Sequence, residues 1–216
     1  MTQDLIHCLE PTRRGKGSPR RINAGKLTGQ KPALKMKEVW AIRARLELRH
    51  DVRELALFNM AIDSKLRGCD LVRLKVGDVA AGGEVKNRAI IVQRKTGTPV
   101  QFEITEQTRR AVGDLIRRDQ VGAADYLFRS RLSMSEHLST RQYARIVQAW
   151  VRSIGLNPAT YGTHSLRRTK AALIYRKTGN LRAVQLLLGH SKLESTVRYL
   201  GVEVDDALAI SEGVDL

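Results

Sequence analysis

Several residues in the last fifth of the chain have side chains suited to acid–base or nucleophilic chemistry. His164 and Arg167 lie in THSLRRTK, His190 follows in LLLGHS, and Tyr199 lies in VRYL. Their spacing puts His164 and Arg167 on one face of a helix, for which Thr163 is a candidate N-cap. Because a helix N-terminus also offers free backbone N–H groups to an anion, this stretch suits chemistry on a phosphate group.

Cationic residues further upstream could complete such a site. Arg67 follows a predicted helix, and Lys95 lies at the tip of the predicted hairpin RKTGT. Attack on a phosphodiester builds negative charge on the nonbridging oxygens, which Arg67 and Arg167 could hold with bidentate bonds. Tyr199 could attack through its phenolic oxygen, and Lys95 could protonate the leaving 5′ oxygen.

The histidines, His164 and His190, could take the tyrosine proton or bond to the nonbridging oxygens. The sequence has no carboxylate cluster of the kind that holds two metal ions, and no Gly-rich loop of the nucleotide-binding type. We therefore expect a site that uses no cofactor, neither a metal nor ATP. Singly, each residue has an ordinary structural explanation, such as a surface ion pair for an arginine, so the prediction depends on the ordered set.

The charge of the chain indicates a polyanionic partner. The 38 Lys and Arg residues against 22 Asp and Glu give a formal net charge of +16, which most often means a nucleic-acid partner. The only cysteines, Cys8 and Cys69, permit no disulfide framework or Cys-rich zinc site, so we expect a reducing cytoplasm. No apolar run approaches the ~20 residues of a membrane span, and no signal-peptide core is visible, so no membrane partner is expected.

The elements that must position these residues are mostly helical in the first third of the chain. Residues 1–32, which include RRGKGSPRR, are predicted to form a basic, flexible N-terminal arm. Residues 34–49 have a helical pattern with Trp40 and Leu46 directed inward, and Asp51 can cap a second helix.

Between Val76 and Ile104 the pattern becomes strand-like. The runs VGDV, AIIV and VQFEI are separated by AGGE and KTGT, which predicts an antiparallel sheet of about three strands. A helix is expected again from Thr105 to Arg118. The predicted fold class is therefore α+β, mostly α.

The clearest amphipathic segment spans residues 139–154. Its apolar side consists of Tyr143, Val147, Trp150, Val151 and Ile154. Its polar side consists of Arg141, Arg145, Gln148 and Arg152. Such a basic face could enter a DNA major groove, where Arg and Gln reach base edges. The alternative is a solvated face, but charge of a single sign without acidic pairing favours DNA.

The C-terminal part is predicted to form short helices separated by polar turns. Gly179 ends one helix, Asn180 can cap the next, and Ser191 with Glu194 resembles a capping box for the last. Tyr199 lies about 120° from the apolar stripe of that last helix, which suggests a functional side chain.

Taken together, these motifs resemble the tyrosine recombinases, or phage integrases. The matching elements, in order and spacing, are SKLRGCDL at 64–71, Lys95, HSLRRT at 164–169, LLGHS at 187–191 and Tyr199. The resemblance covers the catalytic domain, residues 33–201. It implies the fold of that domain, mostly α with a small antiparallel sheet.

The resemblance also implies roles for the cationic residues. Arg67 and Arg167 stand at the paired catalytic arginines, and Lys95 stands at the general acid. Asp70 occupies the acidic position that orients the first arginine, where many relatives have Glu. Arg168 stands where many relatives have histidine, and we predict that it and Arg94 contact DNA together with the basic face of residues 139–154.

The resemblance also implies roles for the histidines and the tyrosine, in a strand exchange that needs no cofactor. His164 would assist proton transfer and bind phosphate, His190 takes the second histidine or tryptophan position, and Tyr199 is the nucleophile. Tyr199 would hold the 3′ phosphate of one strand and release a 5′ hydroxyl. A 5′ hydroxyl from the partner duplex then reseals the strand, and two such rounds pass through a four-way junction.

The expected partners follow from the same resemblance. They are double-stranded DNA and further copies of the chain, as a homo-tetramer on paired sites and a monomer when free. An accessory DNA-bending protein would fit this scheme. The acidic tail, residues 202–216, is expected to dock in trans on a neighbouring copy, and the location implied is the bacterial cytoplasm or nucleoid.

One feature departs from most members of the family. Most carry a helical DNA-clamping domain of roughly a hundred residues before the catalytic one, whereas residues 1–32 stand in its place here. In this respect the chain resembles the short subgroup that includes the bacterial fimbrial invertases. Two other functions stay open: a type IB topoisomerase, and a DNA-binding regulator descended from a recombinase.

Overall fold

The structure is a computed structural model that describes residues 30–131 and 135–200. Most of the predicted N-terminal arm and all of the acidic tail lie outside the described residues. Within the described part, no helix combines the length and the apolar character that crossing a membrane requires.

The described residues form a mostly helical fold. Its helices are α1 (Met36–Leu48), α2 (Val52–Ser64), α3 (Gly68–Leu71), α4 (Val76–Val79), α5 (Glu106–Asp119), α6 (Thr140–Ser153), α7 (Thr163–Thr178), α8 (Leu181–Leu188) and α9 (Leu193–Leu200). Its strands are β1 (Ala80–Ala81), β2 (Glu84–Val85), β3 (Arg88–Val92) and β4 (Pro99–Glu103). The α+β, mostly α fold class is confirmed.

The strands lie in the predicted region and are antiparallel, but they form two pairs, β1–β2 and β3–β4. The run VGDV was expected to be a strand and is helix α4 instead. The Asp78 carboxylate accepts the backbone N–H of Lys75 at 2.8 Å. This cap stabilises a helical turn. An alternating pattern of only four residues is too short to distinguish a strand from such a turn.

Helix α2 lies at the centre of the main core. Its residues Leu57, Phe58 and Met60 are completely buried, and it packs against α1, α5 and α7. Asp51 caps it as predicted, by accepting the N–H three residues along at 3.0 Å. The Phe58 ring meets the Trp150 ring edge to face at 5.2 Å, which joins α2 to α6.

The inward face of α1 differs from the prediction. Leu46 is buried as expected, but Trp40 is 54% exposed, and Val39 and Ile42 are buried instead. The buried residues follow the three-to-four spacing of a helical stripe, and Trp40 lies one position away from it, a rotation of about 100°.

The C-terminal helices begin at slightly different residues from those expected. Thr163 is the first residue of α7, and Gly162 is its N-cap, with the N–H of Gly162 bonded to the Ser165 hydroxyl at 3.1 Å. Asn180 caps α8 as predicted, with a 2.9 Å bond. Helix α9 starts two residues after Ser191, so Ser191 is not its N-cap.

Helices α8 and α9 form a small layer on α7 that is separate from the main core. The fully buried apolar residues there are Ala171, Val184 and Leu188, and Tyr199 packs at their edge. Because few apolar side chains hold this layer, we expect it to open locally more readily than the core around α2.

Candidate active site

The first arginine of the site is placed by a buried ion network. The network consists of Asp63, Lys65, Glu103 and Lys170. Lys65 ends α2 in a left-handed conformation, with φ of 54°, and its fully buried Nζ donates to Glu103 at 2.9 Å. Lys170, on α7, donates to Asp63 at 2.7 Å and to Glu103 at 2.6 Å. The network therefore ties the end of α2, strand β4 and helix α7 together, just before Arg67.

The pKa shifts in this network follow from burial and pairing. Burial lowers the pKa of Lys65, and Glu103 opposes that change. Burial alone would raise the pKa of Asp63, but the Lys170 charge and hydrogen bonds from Thr105 and Thr108 outweigh it and hold the pKa below its usual value. Asp63 is thus a charged, fully bonded acceptor at neutral pH.

The arginines meet near the end of α8. Arg67 donates through Nη1 to the Gln93 side-chain oxygen, and Gln93 donates to the Leu188 carbonyl at 3.2 Å. Arg167 donates through Nη2 to the same carbonyl at 2.8 Å. Arg67 from the start of α3 and Arg167 from α7 are thereby brought to one point, although they are far apart in sequence.

Arg167 is buried and has spare hydrogen-bonding capacity. It is 3% exposed, and its Nη1 has no partner among the described residues. A buried guanidinium with an unpaired donor is unusual, because buried polar groups are normally bonded. An anion beside Nη1 would satisfy it with a charge-assisted bond.

His190 is held in one tautomer. Its Nε2 lies 3.5 Å from Arg167 Nη2, and its Nδ1 lies 3.1 Å from the hydroxyl of the buried Thr196. Arginine cannot accept a hydrogen bond, so Nε2 is the acceptor and Nδ1 carries the proton toward Thr196. Burial, followed by the Arg167 and Arg67 charges, lowers the pKa of His190 to about 4.

Tyr199 lies beside these groups. Its ring meets the His190 ring edge to face at 5.5 Å, and its Oη is 3.4 Å from the His164 carbonyl. The guanidinium carbons of Arg167 and Arg168 lie 5.7 and 4.9 Å from its ring centroid. Burial raises the pKa of Tyr199, and the arginine charges partly offset that rise.

His164 and Lys95 lie at the open side of this cluster. The His164 side chain is in the first turn of α7 and is exposed, as is Lys95 in the β3–β4 turn. Although His164 has an exposed surface, neighbouring side chains partly desolvate its imidazole and lower its pKa, and the charges of Arg167, Arg168, Arg67 and Lys95 lower the pKa further. His164 is therefore a neutral imidazole at physiological pH, and Lys95 lies close enough to act on it electrostatically.

Asp70 supports the hairpin that carries Lys95. Its Oδ1 accepts the backbone N–H of Arg94 at 3.1 Å, and its Oδ2 has no partner among the described residues. Among the described residues, the Arg67 guanidinium donates directly to Gln93, and the orientation of Arg67 by Asp70 stays a prediction.

The residues predicted to contact DNA divide into an exposed set and a buried one. On α6, the side chains of Arg141, Arg145, Gln148 and Arg152 are all exposed. Arg141 and Arg145 line a groove of about 410 Å³ with Arg53 and Arg131. Arg94 is exposed on the hairpin. Arg168 is only 8% exposed, because residues 30–31 cover it.

The sequence is similar to those of known proteins. Residues 33–205 match the family model described as the phage integrase family. The chain belongs to this family. Among curated proteins, it is 28% identical over 162 residues to "Probable integrase/recombinase YoeC" of Bacillus subtilis (strain 168), covering 75% of this chain and 84% of that protein. The chain spans about half the length of the curated relatives named tyrosine recombinase XerC and XerD.

Solved structures share the fold of this integrase-family chain. The crystal structure of XerA recombinase matches with a TM-score of 0.69 and 20% identity, covering 86% of this chain and 65% of that one. The Tn1549 transposon integrase in complex with transposon right end DNA also matches with a TM-score of 0.69, at 16% identity, covering 86% of this chain and 66% of that one.

In this integrase-family site, the main residues that sequence reasoning missed are Gln93 and Thr196. Both are polar yet almost completely buried, at 1% and 0% exposure. Gln93 links the two arginines, and Thr196 sets the His190 tautomer. The signal in the sequence is slight: Gln93 stands two positions before Lys95 at the end of an apolar strand. In the described part of the chain, no three His, Cys, Asp or Glu side chains lie close enough to share a metal ion.

Proposed function

We propose that this chain cuts and rejoins double-stranded DNA site-specifically through a covalent 3′-phosphotyrosine on Tyr199. The observation that supports this most strongly is the Nη1 of the buried Arg167, which lies next to the Tyr199 ring and has no hydrogen-bond partner in the part of the chain that the structure describes. A phosphate bound between the arginines would satisfy that donor. The family to which the chain belongs agrees with this chemistry.

The cleavage step can be written with these side chains. Tyr199 Oη bonds to phosphorus as the bond from phosphorus to the 5′ oxygen breaks. His164, neutral because its pKa is lowered, accepts the phenolic proton. Lys95 gives a proton to the leaving 5′ oxygen, and Arg67 and Arg167 hold the charge on the nonbridging oxygens.

Rejoining reverses these steps with a 5′ hydroxyl from the partner duplex. That hydroxyl gives its proton to Lys95 as its oxygen bonds to phosphorus, and Tyr199 leaves and recovers its proton. The phosphodiester bond energy is kept in the phosphotyrosine throughout, so the exchange requires no ATP.

DNA would lie across the exposed arginines of α6. Arg141, Arg145, Gln148 and Arg152 share one face that carries no acidic residue, which suits contacts to phosphates and base edges. Arg94 would reach the same duplex from the β3–β4 turn.

Assembly and location form a further part of the proposal. The chain would be a monomer when free and a homo-tetramer on paired DNA sites in the bacterial cytoplasm or nucleoid, with an accessory DNA-bending protein as an additional partner. Residues 202–212 would pack in trans. A chain truncated after Gly201 should then form fewer synapses, and unchanged synapsis would contradict this packing.

A suicide substrate tests the enzymatic function. Nicked duplexes with a randomised core lose the short fragment after cleavage and trap the covalent complex. We expect a denaturant-stable protein–DNA band with the unaltered chain and with Tyr126→Phe, a matched control away from the site, but none with Tyr199→Phe. DNA binding without any covalent band would indicate a regulator, and relaxation of a plasmid irrespective of sequence would indicate a topoisomerase.

A further inference from the structure

Residues 30–34, here called the entry segment, lead into α1 and dock on the surface beside α7. The buried Leu34 donates its N–H to the Thr169 hydroxyl at 3.0 Å, and the Lys31 ammonium donates to the Ala159 carbonyl. These bonds join residues more than a hundred positions apart. The entry segment is therefore part of the tertiary structure beside the active site.

Arg168 is the main contact between the entry segment and α7. Its Nη2 donates to the Gln30 side-chain oxygen at 2.7 Å, and its Nη1 donates to the Lys31 carbonyl. Two such bonds from one planar guanidinium set its orientation, which an ammonium group could not do.

The same contacts reach the nucleophile. Gln30 donates through its Nε2 to the carbonyl of Arg198, the residue before Tyr199 on α9. The Arg168 guanidinium carbon lies 4.9 Å from the centroid of the Tyr199 ring, within cation–π distance. Gln30 thus bridges α7 and α9, and Arg168 lies between the entry segment and the tyrosine.

We propose that Arg168 is a positioning residue for Tyr199, and that Gln30 and Arg168 together form a latch that holds α9 in the cleavage-competent arrangement. The inference rests on the proposed strand-transfer function and adds a part of the chain that the chemistry itself does not use. The layer of α8 and α9 has only a small apolar cluster of its own, so a few polar contacts at its edge change its population of open states appreciably.

The competing interpretation is that Arg168 contacts a DNA phosphate, as the sequence suggested. Its Nε has no partner among the described residues and would serve such a contact. The two interpretations differ in what Gln30 does. A latch requires Gln30 as much as Arg168, whereas a phosphate contact does not.

The test compares Arg168→Met, Gln30→Ala and the double variant, with Arg176→Met as the control. Arg176 is an exposed arginine in the last turn of the same helix. Three quantities are measured: the single-turnover rate of covalent complex formation at saturating nicked DNA, the DNA affinity as a function of salt, and hydrogen exchange of peptides that cover α9.

The latch predicts a loss of rate without a loss of binding. Arg168→Met should slow covalent complex formation by about 10- to 100-fold and Gln30→Ala by about 3- to 10-fold, as expected when bonds to a charged group are removed. The double variant should be no slower than Arg168→Met, because the two residues act through one contact. DNA affinity should stay within about threefold, and α9 should exchange faster in both single variants while α2 does not. Arg176→Met should match the unaltered chain.

Other outcomes would overturn the latch. If Arg168→Met weakens DNA binding and flattens the salt slope by about one unit while the saturated rate is unchanged, Arg168 is a phosphate contact. If Gln30→Ala, which alters an exposed side chain and leaves the core intact, matches the unaltered chain in both rate and α9 exchange, the latch is wrong even if Arg168→Met fails to fold. Absence of any covalent product from the unaltered chain would instead refute the proposed function, and unchanged α9 exchange would then reject the latch separately.

Discussion

Replacing Asp63 by asparagine should destabilise the fold strongly, although the two side chains have nearly the same shape. Asp63 is 2% exposed. Its Oδ1 accepts from Lys170 at 2.7 Å, and its Oδ2 accepts from the backbone and hydroxyl of Thr105 at 2.9 and 2.6 Å and from the Thr108 hydroxyl at 2.6 Å. Every one of these partners is a donor.

An asparagine side chain has one acceptor and one donor end, so it cannot serve both sides of this site. If its oxygen faces the threonines, its NH₂ group faces the Lys170 ammonium. Lys170 keeps Glu103 at 2.6 Å, which limits the cost to about 3 kcal/mol, near the lower limit for breaking a buried pair. With an m-value of about 2 kcal/mol/M, the urea midpoint should fall by about 1.5 M.

The same variant should change the acid dependence of stability. The pKa of Asp63 is held below its ordinary value of 3.8 in the folded protein, so this carboxylate stabilises the fold above that pH. The stabilisation is lost as the pH falls through the lower folded value. The difference in stability between the unaltered chain and Asp63→Asn should therefore shrink below about pH 4.

Urea titrations followed by tryptophan fluorescence at pH 7 and pH 3.5 measure both effects, since Trp150 lies in the core. Asp114→Asn is the matched control, because Asp114 is an exposed carboxylate on α5 that pairs, within residues 30–131 and 135–200, with Arg117 alone. It should leave the midpoint unchanged. An Asp63→Asn midpoint within about 0.3 M of the unaltered chain at pH 7, where an m-value of about 2 kcal/mol/M applies, would refute the buried-network reasoning.

Three further predictions concern the site. Gln93→Ala should slow covalent complex formation by about 10-fold or more at saturating DNA, because Arg67 loses a bond that orients it. The control Gln101→Ala, which alters an exposed residue on β4, should leave the rate unchanged. Equal rates for the two variants would contradict the role of Gln93 in orienting Arg67. The imidazole of His190 should titrate near pH 4 in an NMR pH series, and a midpoint above 6 would show that burial and the arginines do not act on it as described. Arg141→Ala and Arg145→Ala should each weaken DNA binding and, for a phosphate contact, flatten the salt slope by about one unit; unchanged affinity in both would remove α6 from the DNA-binding surface.

The helices could be predicted from the sequence where their apolar spacing was regular over several turns. Residues 139–154 are the clearest case: Tyr143, Val147 and Trp150 are all buried, and helix α6 has nearly the expected bounds. Short segments gave less information. The helical turn α4 is stabilised by a carboxylate cap that the strand-like pattern did not reveal. Trp40 is exposed because it lies one position away from the buried stripe of α1.

The proximity of His164, Arg167, His190 and Tyr199 could also be predicted, because they come from α7, α9 and the turn between α8 and α9. What could not be predicted is the set of buried polar contacts that joins distant segments. Gln93 contacts Leu188 across 95 positions, and pattern rules for single helices or strands contain no information on such pairs.

The burial of Arg168 also could not be predicted from the local sequence. Arg168 stands where many relatives have histidine, and it was expected to contact DNA. The structure covers it with residues 30–31, which sequence reasoning had assigned to a flexible arm. Whether a charged side chain faces solvent depends on which segment returns to cover it, and the local sequence does not specify that.

Identification of the residue that becomes linked to DNA would test the covalent mechanism of strand cleavage. The covalent complex trapped on nicked DNA is digested with protease and nuclease, and the modified peptide is sequenced by mass spectrometry. We expect a nucleotide joined through its 3′ phosphate to Tyr199 and no adduct in Tyr199→Phe. An adduct on another residue, or strand exchange that persists in Tyr199→Phe, would contradict it.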